Sequence, residues 1–424
     1  MKFKEFRCEL DKHLKENILR YWVDKAFDYK NNRLYGWVTD DKEGNTVKTS
    51  YNKTSILCSR TLWVFSTAYK KYKKEEYKKC AYICYDNLIN DFYDNKNGGV
   101  IWSLDYEETI NKVPHERYKH LYSESFAIYG LCAFYSAFNE DEALKKALEI
   151  YDKIIEKCTD NKNGGFFENM DEKWEKTEKY ALAPKTVDCT KTMNTTLHFM
   201  EALTPLYEIT KDERVKKTII EVLDIIFDKM LTDKKDALKM FFDDDYTCNY
   251  DAFSPGHDIE TSWLIIKCAQ AIGDKKYLQK SYDLAIRIAK KVIEVGIDKN
   301  YSVKVGMGTL YEDDIWKKYG RDWWSYAEAI LGYFNVYEVT GDYFYYKICL
   351  KIWNAAKEQI IDEKNGCWKG FFWYPPLTEY MRKIHMEKHN KEPNYNYICK
   401  ISPWHCCYHN TRMCFEIIDR LENK

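Results

Sequence analysis

The sequence predicts an all-α protein, an (α/α)6 barrel of about twelve helices in one domain spanning residues 1–424. Three observations carry that expectation. First, a loop signature recurs. It stands at Asp28-Tyr29-Lys30-Asn31, at Asp94-Asn95-Lys96-Asn97-Gly98-Gly99 and identically at Asp160-Asn161-Lys162-Asn163-Gly164-Gly165. Weaker copies follow at Asp233-Lys234-Lys235-Asp236, Asp298-Lys299-Asn300 and Asp362-Glu363-Lys364-Asn365-Gly366, giving spacings of 66, 66, 73, 65 and 64 residues. Such a period marks a repeated supersecondary unit. Second, each interval between copies has room for two helices, five pairs in all. Third, one unpaired helix stands at each end. Two such ends complete a sixth pair if a ring closes, whereas an open solenoid leaves them apart.

The elements follow in order. The first helix runs from Lys4 to Ala26. After a pair between the first two copies come Tyr118–Phe138 with Glu142–Lys157 and Lys191–Thr210 with Glu213–Leu231. Next are Ile259–Ile272 with Lys276–Val295, then Asp322–Thr340 with Tyr343–Ile361, and a last helix from about His405 to Leu421. Asn139-Glu140-Asp141 and Lys211-Asp212 split two of the pairs, and Gly273 and Gly341 stand at matching helix ends. Glycine there suits the left-handed residue that closes a helix. The segments after the loops, such as Val100-Ile101-Trp102 and Gly165-Phe166-Phe167, read as short strands or extended turns.

The repeat also sorts the unusual residues. The helix after each loop copy carries, in turn, Arg60; Tyr122 with Glu124; Asn194 with His198; His257 with Glu260 and Trp263; Trp324 with Glu328; and Trp404 with His409 and Arg412. If these helices form the inner ring, those groups converge on one cleft. The alternate helices, such as Glu142-Ala143-Leu144-Lys145-Lys146-Ala147, carry Lys and Glu beside an apolar stripe and suit the outer ring.

Composition narrows the function. There are 66 basic and 67 acidic residues, a net charge of −1, which argues against nucleic acid or a charged membrane surface as partner. Met1 to Tyr21 holds no continuous apolar run, so neither a signal peptide nor a membrane span is expected and the chain reads as cytoplasmic. The 15 cysteines follow no framework and read as reduced thiols, mostly in the core. His405 and His409 are four apart, but Cys406-Cys407-Tyr408 lies between them with no Glu in the metalloprotease position, so no metal is expected.

Ser254-Pro255-Gly256-His257-Asp258-Ile259-Glu260-Thr261-Ser262-Trp263 reads as a helix start, with Ser254 as cap and Pro255 in the first turn. His257 and Glu260 are three apart and share a face, so Glu260 can fix the tautomer of His257. Ser402-Pro403-Trp404-His405-Cys406-Cys407-Tyr408-His409-Asn410 echoes this start, and the two are expected to face one another across a pocket. Arg60, on an otherwise apolar helix, needs either a carboxylate such as Glu260 or Glu328 or a substrate oxygen. Trp263, Trp323, Trp324 and Trp404 offer surfaces for a sugar ring, or else fill the core. No phosphate loop, dinucleotide fingerprint or serine elbow is present. Paired histidines without a cofactor suit proton abstraction beside a carbonyl, and two bases on opposite faces would invert a stereocentre.

Three motifs resemble the cellobiose 2-epimerases of the N-acylglucosamine 2-epimerase superfamily: Ser254 to Trp263, Trp323-Trp324-Ser325-Tyr326-Ala327-Glu328-Ala329, and Pro403 to Met413. The likeness includes Ser59-Arg60-Thr61-Leu62-Trp63 and Met193-Asn194-Thr195-Thr196-Leu197-His198. Tyr326 departs from an expected amide, and His405-Cys406-Cys407 departs from Lys-Cys-Pro; both are expected to alter the pocket. The resemblance implies 2-epimerisation of the reducing-end glucose of a β-1,4-linked disaccharide. His257 and His409 exchange the C2 proton, Arg60 stabilises the enediolate, His198 helps open the sugar and Glu260 orients His257. Tyr122 and Asn194 contact hydroxyls, Trp324 and Trp404 stack on the sugar, and Glu328 supports the site. It implies no cofactor, and a monomer or weak homodimer is expected. Within the same superfamily the alternatives are an N-acylglucosamine 2-epimerase and a mannose isomerase. A glycoside hydrolase would use two of Asp258, Glu260 and Glu328, and a sugar-binding protein would need no histidine pair.

Overall fold

The computed structural model describes residues 1–424 except 42, 52, 105–116, 178–181, 183–186, 313, 315–316, 318–319, 374–396 and 423–424. Twelve helices lie among the described residues. They are α1 (3–25), α2 (Ser55–Tyr72), α3 (75–92), α4 (Leu121–Phe138), α5 (Asp141–Cys158), α6 (Met193–Thr210), α7 (213–230), α8 (Pro255–Ile272), α9 (275–296), α10 (Trp323–Thr340), α11 (Tyr343–Gln359) and α12 (Tyr408–Glu422). Four of the outer ones, α1, α3, α7 and α9, contain a π-helical turn.

The even-numbered helices form a closed ring. α2 packs on α4, α4 on α6, α6 on α8, α8 on α10, α10 on α12, and α12 returns to α2. The odd-numbered helices lie outside, α3 on α2 and so on, with α1 against α12. The two end helices thus make the sixth pair, as an (α/α)6 barrel requires. Burial explains the sorting: α4 buries 13 of its 18 residues, whereas α5 buries 6 of 18 and keeps a charged outer face. Gly130 lets the inner helices approach, since a Cβ there would lie 2.6 Å from the Ser59 carbonyl oxygen.

The inner helices begin alike. Thr54, Thr192, Ser254 and Asp322 cap α2, α6, α8 and α10 through their side chains, and His120 Nδ1 does so for α4. Five inner helices end on a left-handed residue, in turn Lys73, Asn139, Lys211, Gly273 and Gly341. The repeated loops are rigid. Asp94 Oδ1 accepts the backbone N–H of Lys96 and Asn97, and Asp160 and Asp362 hold their own loops similarly. A buried lysine locks each of the three: Lys119 on Asp94 at 3.1 Å, Lys191 on Asp160 at 2.7 Å, Lys400 on Asp362 at 2.8 Å.

The strands differ from expectation in place. After the loops, Tyr93 with Val100 and Thr159 with Phe166 form only single bridges. Short antiparallel ladders form instead just before α4, α6 and α10. These pair β4 (Lys119–His120) with β5 (Asn169–Met170), β6 (Lys191–Thr192) with β7 (Phe241–Phe242), and β8 (Gly320–Asp322) with β9 (Phe371–Trp373). A larger sheet joins β1 (Phe27–Asp28), β2 (Arg33–Asp41), β3 (Thr46–Tyr51) and β10 (Tyr397–Ile401), with β2 central between β3 and β10.

Candidate active site

A cavity of ≈ 580 Å³ opens where the inner helices start. It draws Arg60 from α2, Tyr122 from α4, Asn194 and His198 from α6, His257 and Glu260 from α8, Trp323 and Trp324 from α10, and His409 from α12. A second cavity at the other end takes Lys70, Ser136, Glu208, Lys267 and Asp419, from later turns of the same helices. The inner helices therefore run parallel, with their positive N-terminal ends around the first cavity.

Three histidines enter this cavity, each with Nδ1 engaged, His198 and His409 buried and His257 half-buried. His257 Nδ1 lies 2.7 Å from Ser254 Oγ, His409 Nδ1 lies 2.8 Å from Glu328 Oε1, and His198 Nδ1 lies 2.8 Å from Glu201 Oε2. That leaves Nε2 of each ring to exchange a proton with a ligand. Desolvation holds the imidazoles of His257 and His409 well below the usual histidine range, and that of His198 below it. All three rest neutral near pH 7, the form a base needs. Trp324 lies between the first two, its ring centroid 4.6 Å from His257 and 5.6 Å from His409. Gly256 permits this, since a Cβ there would lie 2.6 Å from the Trp324 ring.

Arg60 is buried and donates to Tyr122 Oη at 2.7 Å, with its guanidinium 4.1 Å from the Phe126 ring centroid. No carboxylate among the described residues pairs with it, so its charge is open to a ligand oxygen. Beneath the cavity lies Arg412. It donates to Glu260 Oε1 at 2.5 Å, to Glu328 Oε1 at 2.7 Å and to Glu201 Oε1, which also accepts from Tyr408 Oη. Arg412 and its carboxylates thereby fix His198 and His409 from one centre. Metal-ligating atoms of Glu260, Glu328 and His409 lie within 4.8 Å of one another, but the Arg412 guanidinium already supplies a cation to both carboxylates.

Residues 36–373 match the model of the family described as N-acylglucosamine 2-epimerase (GlcNAc 2-epimerase). The chain belongs to this family. It is an epimerase acting on carbohydrates, and no helix among its described residues is long and apolar enough to cross a membrane. It is similar to the cellobiose 2-epimerase of Bacteroides fragilis, 31% identical over 413 residues, 97% of this chain and 98% of that one. That of Dictyoglomus turgidum is 32% identical over 426 residues, 99% and 100% of the two chains. The structure of cellobiose 2-epimerase from Bacillus thermoamylovorans superposes with a TM-score of 0.83 at 31% identity, covering 98% of this chain and all of that one.

Several expectations change in this epimerase. Glu260 does not orient His257: its Oε1 accepts from Arg412, and the helix cap Ser254 holds the histidine instead. A buried guanidinium is the stronger claim on a buried carboxylate. Ser402 to His405 is not a helix start. Ser402 and His405 close a turn, Ser402 N–H to the His405 carbonyl at 3.0 Å and His405 N–H to Ser402 Oγ at 2.9 Å, and α12 begins only at Tyr408. Trp404 is therefore on a loop, yet it still lines the cavity, while His409 keeps its place in the first turn. Trp263 lies in the third turn of α8, donates to Glu328 Oε2 at 3.0 Å and faces the opposite cavity, so it is no sugar platform. Tyr326 points away from the cavity to Gln359 on α11, Oη to Oε1 at 2.6 Å. His405 does line the cavity, its ring 4.4 Å from that of Trp323. Of Asp258, Glu260 and Glu328, only Glu260 lines it, so the carboxylate pair expected for a hydrolase is not assembled there; the other carboxylate in the lining, Asp322, caps α10 by accepting from Ser325 N–H.

Sequence reasoning missed Glu201, Tyr408, Trp37, Lys317 and Phe371. Glu201 had a signal: His198 and Glu201 share the three-residue spacing of His257 and Glu260. The rim residues Trp37, Lys317 and Phe371 had none, since they stand outside the paired helices of the repeat.

Proposed function

We propose that this epimerase inverts C2 of the reducing-end glucose of cellobiose and similar β-1,4-linked disaccharides, yielding a mannose end. The observation that carries this reading is the pair His257 and His409. They come from different helices into one cavity, with Nδ1 of each engaged and Trp324 against both rings. The identity of 31% and 32% to two cellobiose 2-epimerases along nearly the whole chain supports the substrate.

The reaction starts from the open-chain aldehyde. Nε2 of one histidine takes the C2 proton, and the C–H electrons move into the C1 carbonyl to give an enediolate. The other histidine, having first taken up a proton from solvent, delivers it to the opposite face of C2, the carbonyl re-forms, and the first histidine returns its proton to solvent. Each such acid/base step contributes roughly 10²–10⁴-fold. Arg60 meets the developing negative oxygen from a dry wall, where a fixed charge acts most strongly. His198 helps open the ring, Tyr122 and Asn194 contact hydroxyls, and Trp324, Trp323 and Trp404 offer their faces to the sugar. Glu328 holds His409, while Glu260 and Glu201 act through Arg412. Every group in this scheme comes from one chain, so a monomer suffices.

Proton NMR with cellobiose in D₂O tests this. The expected result is a new mannose-type anomeric signal, with deuterium at C2 of the reducing-end unit, lost in His257→Ala and His409→Ala. Reaction of N-acetylmannosamine or mannose with cellobiose unchanged would overturn the substrate. No C2 exchange in any sugar would overturn the two-histidine scheme.

A further inference from the structure

The second cavity, ≈ 400 Å³ at the other end of the barrel, holds none of the histidines. Its walls are the later turns of α2, α4, α6, α8 and α12, with Lys70, Ser136, Glu208 and Asp419 in or beside the last turns of four of them. The carbonyl ends of these helices therefore surround it, and such ends favour a cation. Its inner wall is aromatic. Trp63 stacks on Tyr129, the rings 5.4 Å apart and 8° from parallel, and Phe415 stands edge-on to Trp63 at 6.2 Å.

One wall carries acceptors without donors. α6 lines the cavity with Glu201, Pro205 and Glu208, which share one face of the helix. Pro205 lies inside α6 and has no N–H. The Glu201 carbonyl, four residues earlier, thus loses its helical donor, and it points along the axis toward Pro205 on the cavity side. A backbone carbonyl in such a wall requires a donor from elsewhere. Further along the same face, Glu208 is exposed and enters no ion pair with a described residue. The lysines of the cavity are committed or outside. Lys71 donates to Asp419 at 2.5 Å and to Glu422 at 3.0 Å, Lys267 pairs with Glu416, and Lys70 is exposed.

We propose that this cavity binds a primary ammonium ion with a small apolar or aromatic body. Its N–H groups meet the Glu201 carbonyl and the Glu208 carboxylate, and its body lies against Trp63, Tyr129 and Phe415. An anion would face Glu208 and the helix carbonyls, and a neutral molecule would leave Glu208 without a counter-charge. The volume suits a ligand of this size. The site goes beyond the sugar chemistry, but it adjoins the same charged layer. Glu201 accepts from Arg412, and Trp263, in the wall of the second cavity, donates to Glu328, the partner of His409. An occupant therefore bears on that layer from the side away from the sugar.

Calorimetric titration of the full chain with benzylammonium, benzyl alcohol and benzoate tests this. Benzylammonium should bind at one site per chain, about 10-fold more tightly than benzyl alcohol, and benzoate should not bind. Glu208→Gln should weaken benzylammonium by about threefold. Pro205→Ala returns an N–H to the Glu201 carbonyl. It should weaken the amine by about fivefold and also raise Tm, a pair of effects that lost packing would not give. Saturating cellobiose should leave the binding in place. Equal affinity for amine and alcohol, no saturable binding of the amine, unchanged affinity in either variant, or displacement by cellobiose would each overturn the site.

Discussion

Glu328→Gln gives the sharpest test of how the carboxylate layer serves the histidine. Glu328 Oε1 lies 2.8 Å from His409 Nδ1, and both groups are buried. When Nε2 takes a proton, the ring becomes a cation against that oxygen. Two unit charges at 2.8 Å attract by roughly 6 kcal/mol at an effective dielectric of about 20. Arg412 Nη2, 2.7 Å from the same oxygen, offsets part of this. What remains is about 3–5 kcal/mol, or roughly 10²–10⁴-fold in kcat. Glutamine keeps the size and an acceptor for His409 Nδ1–H but not the charge. The assay is deuterium exchange at C2 of cellobiose, with a thermal melt as control for folding. A folded Glu328→Gln enzyme within about threefold of the wild-type exchange rate would refute the argument, because charge at Glu328 would then not matter to the proton transfer.

Three further outcomes are expected. The acid limb of kcat/KM should lie below pH 6.5, because desolvation depresses both His257 and His409 from the ordinary histidine value of about 6.5; a pH–rate profile with that limb at 6.5 or above would contradict the desolvated neutral bases. Arg412→Met should cost about 3–5 kcal/mol of stability in a denaturant titration, since it strands Glu201, Glu260 and Glu328 without their shared cation; a loss under about 1 kcal/mol would mean the layer does not need it. Stability should also fall with acid. Burial pushes His13 and His405 down to about 3, so below pH 6.5 the unfolded chain takes up protons that the folded chain refuses. Each then costs about 1.4 kcal/mol per pH unit, roughly 2 kcal/mol by pH 5, and contributes no slope above 6.5. His13 Nε2 accepts from Trp368 Nε1 at 2.9 Å, and His13→Gln should flatten the slope of Tm between pH 6.5 and 5.

The barrel was legible because its repeat is written in short-range chemistry. Asp94, Asp160 and Asp362 each bind the turn that follows them, and Asn97, Asn163 and Asn365 each donate back to the same carboxylate. Such contacts span three residues, so they survive in a one-dimensional reading. The histidines were legible for the same reason, through their place in the first turns of inner helices. What escaped depends on which distant group wins a partner. Glu260 was within reach of His257 by spacing, but Arg412, 152 residues away, claims it. Trp263 looked like the aromatic neighbour of a catalytic histidine, but one turn and a half along α8 carries it to the other face of the charged layer. The Ser-Pro echo at Ser402 failed because Ser402 caps a turn rather than a helix.

The charged layer explains why Arg60, unlike Arg412, is left to face a ligand. Arg412 lies among three carboxylates, and burial treats them unequally. Burial raises all three, but Arg412 and the His198 hydrogen bond reverse this for Glu201, which stays ionised. Burial, with the adjacent Glu328, pushes Glu260 well up. Glu328 is also raised by burial but is held back by donors from Arg412 and Trp263. Three carboxylates thus surround one guanidinium, and a proton arriving on His409 places its positive charge against Glu328 Oε1 at 2.8 Å. On the opposite wall, the enediolate left on the sugar brings a −1 charge to Arg60. The proposed transfer thus lowers charge separation at both ends instead of creating it, in a cavity where an uncompensated charge would cost most.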